Sequence, residues 1–230
     1  MEQQQSAILK LEQVDFERIS FTFRNQSASG IPQVFLKFEN GQNYLQLPRM
    51  RTPFGVSQQR DNKGVALDRY TLPLSLGGSP ESEKARKFFE ALDNFVKEKA
   101  WENRNEWFGG KLKKQEQLEF MYTPIVRAKS DKYDPLLSLK VPKTIEGVFQ
   151  TKAFNANKES IPVDSIKNGF DVTCIISLRS IWFTDKAFGL TCVAQQVKAY
   201  APRKLADYAF DDSDDGEEQV NEAEVQQFDE

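Results

Sequence analysis

This sequence predicts a mainly β domain with one long helix near its middle and a disordered acidic tail, on three observations. Short apolar stretches with alternating or continuous pattern recur on both sides of a single helical stretch. No regular strand–helix alternation of the kind that builds a parallel α/β sheet is present. The last twenty residues, Asp211 to Glu230, hold ten Asp or Glu and no Lys or Arg, too little apolar surface to pack. The chain has 230 residues, 39% hydrophobic with eighteen Phe, enough for a sizeable core.

The expected organisation is a mobile N-terminus over residues 1–12, a folded domain over 13–210 and a disordered tail over 211–230. From Asp15, "DFERISFTFR" alternates Phe16, Ile19, Phe21 and Phe23 with polar residues, a strand with a bulge near Arg18. "VFLKFENGQNYLQL" places two apolar runs around Asn40-Gly41, the strongest short hairpin signal. "PRMRTPFGVSQQRDNKG" reads as a loop or irregular edge, and "RYTLPLSL" as a strand. Then "GGSPESEKARKFFEALDNFVKEKAWENRNEWF" opens on Ser79 as N-cap and Pro80 at the first helical position. Phe88, Phe89, Leu92, Phe95, Val96 and Ala100 recur at three and four, an amphipathic helix of about 20 residues. "LEFMYTPIVR", "PLLSLKVP" and "GVFQTKAF" are extended. "FDVTCIISLRSIWF" and "FGLTCVAQQVKAY", separated by "TDKA", form a long terminal hairpin. Together these give a β-barrel-type domain with an inserted helix.

Several function classes have no support. The chain has no histidine, the commonest general base and metal ligand. Cys174 and Cys192 have no metal-type spacing and lie in apolar surroundings, as small buried hydrophobes do. Phosphate-loop, dinucleotide and nucleophile-elbow motifs are missing. The expectation is a non-enzymatic protein without cofactor or metal. No apolar run is long enough to span a membrane, and MEQQQSAILKLEQ lacks signal-peptide blocks, so a soluble intracellular protein is expected.

Charge is divided. Residues 1–210 carry all 31 Lys and Arg against 24 Asp and Glu, a net of +7, whereas the tail carries −10. A basic body points to a polyanion. Its cations interleave with rings: Arg49, Arg51 and Phe54; Trp107 ahead of Lys111, Lys113 and Lys114; Tyr122, Arg127, Lys129 and Tyr133; Arg179, Trp182 and Lys186. Unpaired bases stack on rings at about 1–3 kcal/mol each while cations follow phosphates, a combination suited to single strands. The competing reading of any one ring is a core position. Trp182 and Phe183 are adjacent on a strand, so only one of them faces inward. The tail, with Phe228 near its tip, can lie on the basic surface in place of a nucleic acid, at an effective concentration on the order of mM.

The stretches "LQLPRMRTPFGV" (Leu45–Val56) and "SLRSIWFTDKAFGLTCVAQQVKAY" (Ser177–Tyr200), with the acidic tail, resemble the phage-type single-stranded-DNA-binding proteins. They resemble still more the relatives of that family in large nucleo-cytoplasmic DNA viruses of algae and giant viruses. The resemblance implies an OB-fold, a five-stranded barrel with a long helix inserted, here with added strands or loops. It implies single-stranded-DNA binding in replication, recombination and repair, a tail that contacts replication proteins such as the polymerase, and a homodimer. In an infected cell such a protein would sit in the cytoplasm or nucleus. The tail element maps to Asp211, Asp212, Asp214, Asp215, Glu217, Glu218 and Phe228, although here Asp229 and Glu230 follow the ring. The rival is a structural or protein-interaction factor, of virion or chaperone-like type, whose acidic tail binds basic partners.

Overall fold

The computed structural model describes residues 8–24, 32–128, 130 and 132–202. The first strand, Ile8–Lys10 (β1), falls inside the stretch expected to be mobile, and it pairs in parallel with Tyr44–Gln46. A 3-10 turn at Phe16–Arg18 then replaces the expected start of a strand. Its cap is the Asp15 carboxylate, which accepts the Glu17 N–H at 3.1 Å, so a local side-chain bond outcompetes the ladder there. The strand proper is Ser20–Arg24 (β2).

Gln33–Lys37 (β3) and Tyr44–Gln46 (β4) flank the Asn40-Gly41 turn, yet they form no hairpin. The turn closes on itself, Phe38 N–H donating to Gln42 O at 2.8 Å with Gly41 at φ 73°. The chain then resumes its direction, and both strands run antiparallel to the same long strand, Asp171–Phe183. Next come Met50–Arg51 (β5), Ser57–Arg60 (β6) and Ala66–Ser75 (β7), the irregular edge followed by the expected strand. The long helix Pro80–Glu102 (α1) begins as its sequence requires: Ser79 Oγ accepts the Ser82 N–H at 3.1 Å and Pro80 opens the first turn. Arg104–Trp107 (α2) and Gln115–Met121 (α3) extend the helical region, so the start of "LEFMYTPIVR" is helical and not extended. The chain continues through Val126–Arg127 (β8), Leu136–Val141 (β9), Lys152–Phe154 (β10) and Ser160–Ile161 (β11). Only the last three residues of "GVFQTKAF" are strand.

The hairpin of Asp171–Phe183 (β12) and Phe188–Tyr200 (β13) is present as its sequence indicates. The Thr184 hydroxyl accepts the Ala187 N–H at 3.0 Å and closes its tight end. This hairpin is the spine of one mixed sheet, in the order β1-β4-β12-β13-β9-β7-β6, with β2, β3, β5, β8, β10 and β11 attached beside it. Among the described residues these pairings trace an open path, not the closed five-stranded ring of the expected barrel. The inner face packs Val172, Cys174, Ile176, Leu178, Ile181 and Phe183 against α1 residues such as Phe89, Leu92 and Val96 in one core. Burying such side chains is worth roughly 1.5–3 kcal/mol each.

Candidate nucleic-acid interface

A shallow cleft of about 140 Å³ opens where the segment from Thr123 to Arg127 meets β9, β12 and β13. Each wall is fixed by a distinct device. Thr123 N–H donates to Phe188 O at 2.8 Å, laying that segment along the start of β13. From below, the buried Asp93 of α1 accepts the Ile125 N–H at 3.0 Å, the Val126 N–H at 3.4 Å and the Tyr122 hydroxyl. Burial pushes the Asp93 carboxyl above the usual carboxylate range, and these three donors oppose that rise in part. Burial, then the Asp93 charge, likewise raises the Tyr122 hydroxyl.

The floor needs a glycine. Gly189 lies opposite Trp182 in the β12–β13 ladder. A Cβ there would stand 2.8 Å from Thr123 O and 3.1 Å from the Trp182 ring. Its absence lets the wall and the indole close on the strand. Trp182 is half-exposed in the cleft, while Phe183 turns inward against Phe108 and Phe188 at centroid distances of 5.2 and 6.0 Å.

Cations collect here. Arg127 and Lys140 line the cleft with Trp182, Ser138 and Thr191. Lys140 Nζ donates to Thr191 Oγ1 at 3.4 Å. Partial burial lowers the Lys140 pKa from its ordinary value, and the neighbouring Arg69 and Arg179 charges lower it further. Five cations elsewhere (Arg18, Arg49, Arg86, Lys97 and Lys99) have acidic partners. Among the described residues, Arg69, Arg127, Lys140 and Arg179 form no ion pair. Like charges held together without counterions make a local positive potential that attracts an anion.

Of the residues expected in a groove, Arg127 and Trp182 line the cleft, and the Arg179 charge acts on Lys140 beside them. Two others are corrected. Trp107 is 3% exposed, packed edge-on against Phe183 at 6.4 Å and tilted on Phe21 at 5.6 Å. Tyr122 is buried, with its hydroxyl on Asp93. Trp107 closes α2 with its ring in the core, and Tyr122, just past α3, bridges to Phe188 with the two rings 5.1 Å apart. Lys111, Lys113 and Lys114 are exposed on the connection into α3, and Lys186 is exposed in the hairpin turn. Tyr133 is exposed beside Lys132, whose Nζ stands 5.9 Å from its ring.

Arg49, Arg51 and Phe54 occur at the opposite end of the hairpin. Arg49 pairs with Asp171 at 2.9 Å and lies 4.1 Å over the Tyr200 ring. Arg51 is exposed and in register with Asp171. Phe54 is exposed in a loop pinned by Gly55, where a Cβ would meet Ile166 O at 2.3 Å. Lys129 and the tail residues Asp211, Asp212, Asp214, Asp215, Glu217, Glu218 and Phe228 lie outside the described residues. The sequence reading missed Arg69 and Lys140. Lys140 stands on the polar phase of an alternating strand with no aromatic neighbour in sequence, so only strand pairing brings it to Trp182; Arg69, next to Tyr70 in sequence, reaches Lys140 through the β7–β9 pairing.

Among the described residues, no group of three or more His, Cys, Asp or Glu could hold a metal ion. No helix is long and apolar enough to cross a membrane.

A family model described as a family of unknown function (DUF5871) matches residues 81–212, more than half of the chain. The chain belongs to that family. No curated protein matches it. Among solved structures, it is similar to the single-stranded DNA-binding protein from bacteriophage Enc34 in complex with ssDNA: 10% identity over 74% of this chain and 92% of that one, at a TM-score of 0.44. The same phage protein in another structure gives 10% identity over 85% and 98%, at 0.44. The single-stranded DNA binding protein gp2.5 encoded by bacteriophage T7 gives 10% identity over 74% and 98%, at 0.45.

Proposed function

We propose that this protein binds single-stranded DNA without sequence preference, with the cleft around Trp182 as the contact. The observation that carries the reading is one half-exposed indole in a cleft lined by Arg127 and Lys140, with the Arg69 and Arg179 charges near Lys140 and no acidic partner for any of the four. The cations suit phosphates, and the flat indole suits an unpaired base. A duplex hides its base faces and leaves the ring unused. The cleft is too small to enclose a nucleotide, so the ligand lies across its mouth and not within it.

The resemblance drawn from the sequence extends this reading to replication, recombination and repair, to an OB-type architecture and to the viral relatives of the family. On this reading the protein is no enzyme. Its tail, through its acids and Phe228, competes for the cations and, once displaced, recruits replication proteins such as the polymerase. A homodimer belongs to the same reading.

The test is a fluorescence titration of the full chain and its Trp182→Phe variant with oligothymidine and with a duplex. The single strand is expected to quench the wild type, the duplex far less, and the variant to lose most of the quench. Deleting residues 211–230 should tighten binding. If the duplex binds as well as the single strand, or W182F quenches like the wild type, the reading fails.

A further inference from the structure

The register of the central hairpin places more on the cleft's face than the cleft itself. Directly opposed residues in an antiparallel pair project to the same side. Along β12 the inward side is Val172, Cys174, Ile176 and Leu178, then, past the irregularity between Leu178 and Ile181, Ile181 and Phe183. By alternation the other side runs Asp171, Thr173, Ile175 and Ser177, then Ser180 and Trp182; of these Ser177 is buried and the rest are half-buried. Its partners bring aromatic rings from three other strands: Tyr200 opposite Asp171, Tyr44 opposite Ser177 and Phe35 opposite Ser180. All three are half-exposed, as is Trp182.

Each end of this row carries cations. Arg49 lies 4.1 Å over Tyr200, and Lys198, in register with Thr173, stands 5.5 Å from the same ring. Arg24 lies 5.1 Å over Phe35. A single outward ring on a strand needs no explanation. Four on one face, Trp182 on β12 with Phe35 and Tyr44 along one of its edges and Tyr200 along the other, with cations at both ends, suit a stacking platform.

We infer that a bound single strand runs lengthwise along the outer face of the sheet about β12, from Trp182 past Phe35 on β3 and Tyr44 on β4 to Tyr200 on β13, and does not merely cross it at the cleft. This rests on the proposed function and adds the direction and footprint of the ligand. The eleven steps from Asp171 to Trp182, at ~3.3 Å each, span about 36 Å. Stacked at ~3.4 Å per nucleotide or stretched to about twice that, roughly six to ten nucleotides cover it. The two register irregularities between β12 and β13 add twist, so the path coils as it runs.

The experiment measures anisotropy of labelled oligothymidines of about 4 and about 16 nucleotides with the full chain. It compares wild type, Trp182→Ala, and Tyr200→Leu combined with Lys198→Gln, each checked for native far-ultraviolet circular dichroism. The Tyr200/Lys198 variant should lose about 5-fold or more with the long strand and change little with the short one, while W182A weakens both. If the Tyr200/Lys198 variant binds both lengths like wild type while W182A weakens both, the strand crosses the hairpin. The path is then wrong although the proposed function stands. Equal loss at both lengths also overturns the path, because the short strand would then sit at the Tyr200 end. If W182A leaves both affinities intact, the proposed function itself fails.

Discussion

Replacing Lys140 by Met should weaken DNA binding and leave the fold as stable as before or more so. In the free protein Lys140 is partly desolvated and faces Arg69 and Arg179, and both effects oppose its charge. Removing the charge relieves that repulsion. The sign follows from linkage: a lysine whose folded-state pKa is depressed binds fewer protons folded than unfolded. Its charged form therefore costs stability below the folded value, and that cost disappears as pH rises toward 10.5. The methionine variant should lack this rise. On DNA the sign of the effect reverses, because a phosphate supplies the missing counterion. If Arg69, Arg127, Lys140 and Arg179 each neutralise one phosphate, log affinity should fall with log salt at about −2.8, from −0.7 per contact on a single strand. Between 50 and 200 mM salt that is a loss of about 50-fold. The variant, with one contact fewer, should show a slope of about −2.1 and a loss of about 20-fold. Anisotropy of a labelled oligothymidine across that salt range gives both slopes, and thermal unfolding gives the stability. An unchanged slope together with a lower Tm would refute the reasoning. Lys140 would then be a structural lysine whose stem packs, and not a phosphate ligand.

Three further outcomes follow from the same contacts. Gly189→Ala should cost about 1–3 kcal/mol by overpacking, shift Trp182 emission and weaken oligothymidine binding, since its Cβ meets Thr123 O and the indole; urea unfolding and the titration check it. Asp93→Ala should cost about 3 kcal/mol or more, because Tyr122, Ile125 and Val126 lose their acceptor in the interior. With its carboxyl raised above 3.8, wild-type Asp93 binds more protons folded than unfolded, so its contribution to stability falls as pH rises from 3.8 through the raised value. Unfolding followed across that range should show the fall in wild type and not in the variant. Cys174 and Cys192 are buried, with thiols pushed up to about 12. Neither should react with a thiol reagent at neutral pH until the protein is unfolded; rapid native labelling would contradict their placement.

What was legible in the sequence was whatever is decided locally. Ser79, Pro80 and the three-and-four spacing of Phe88 to Ala100 specify α1 without reference to the rest of the chain, and the β12–β13 hairpin is specified by its two apolar runs and the four residues between them. The failures are decided by partners distant in sequence. Asn40-Gly41 does form its turn, but β12 offers an edge to both flanking strands, so the turn becomes an excursion and not a hairpin. Trp107 sits among cations in sequence and among Phe21 and Phe183 in space. The candidate site shows the same division. Trp182 could be singled out because its neighbour Phe183 forces one of them outward. Which face it shares with Tyr44 and Tyr200 depends on the register break between Leu178 and Ile181. Simple alternation from Cys174 and Ile176 would put Trp182 on the buried side. The break reverses the phase, and it alone brings the indole to the face that carries Lys140, Lys198 and the other rings. A residue inserted or deleted between Leu178 and Ile181 should therefore separate the two ends of the binding face more thoroughly than any single ring removed from it.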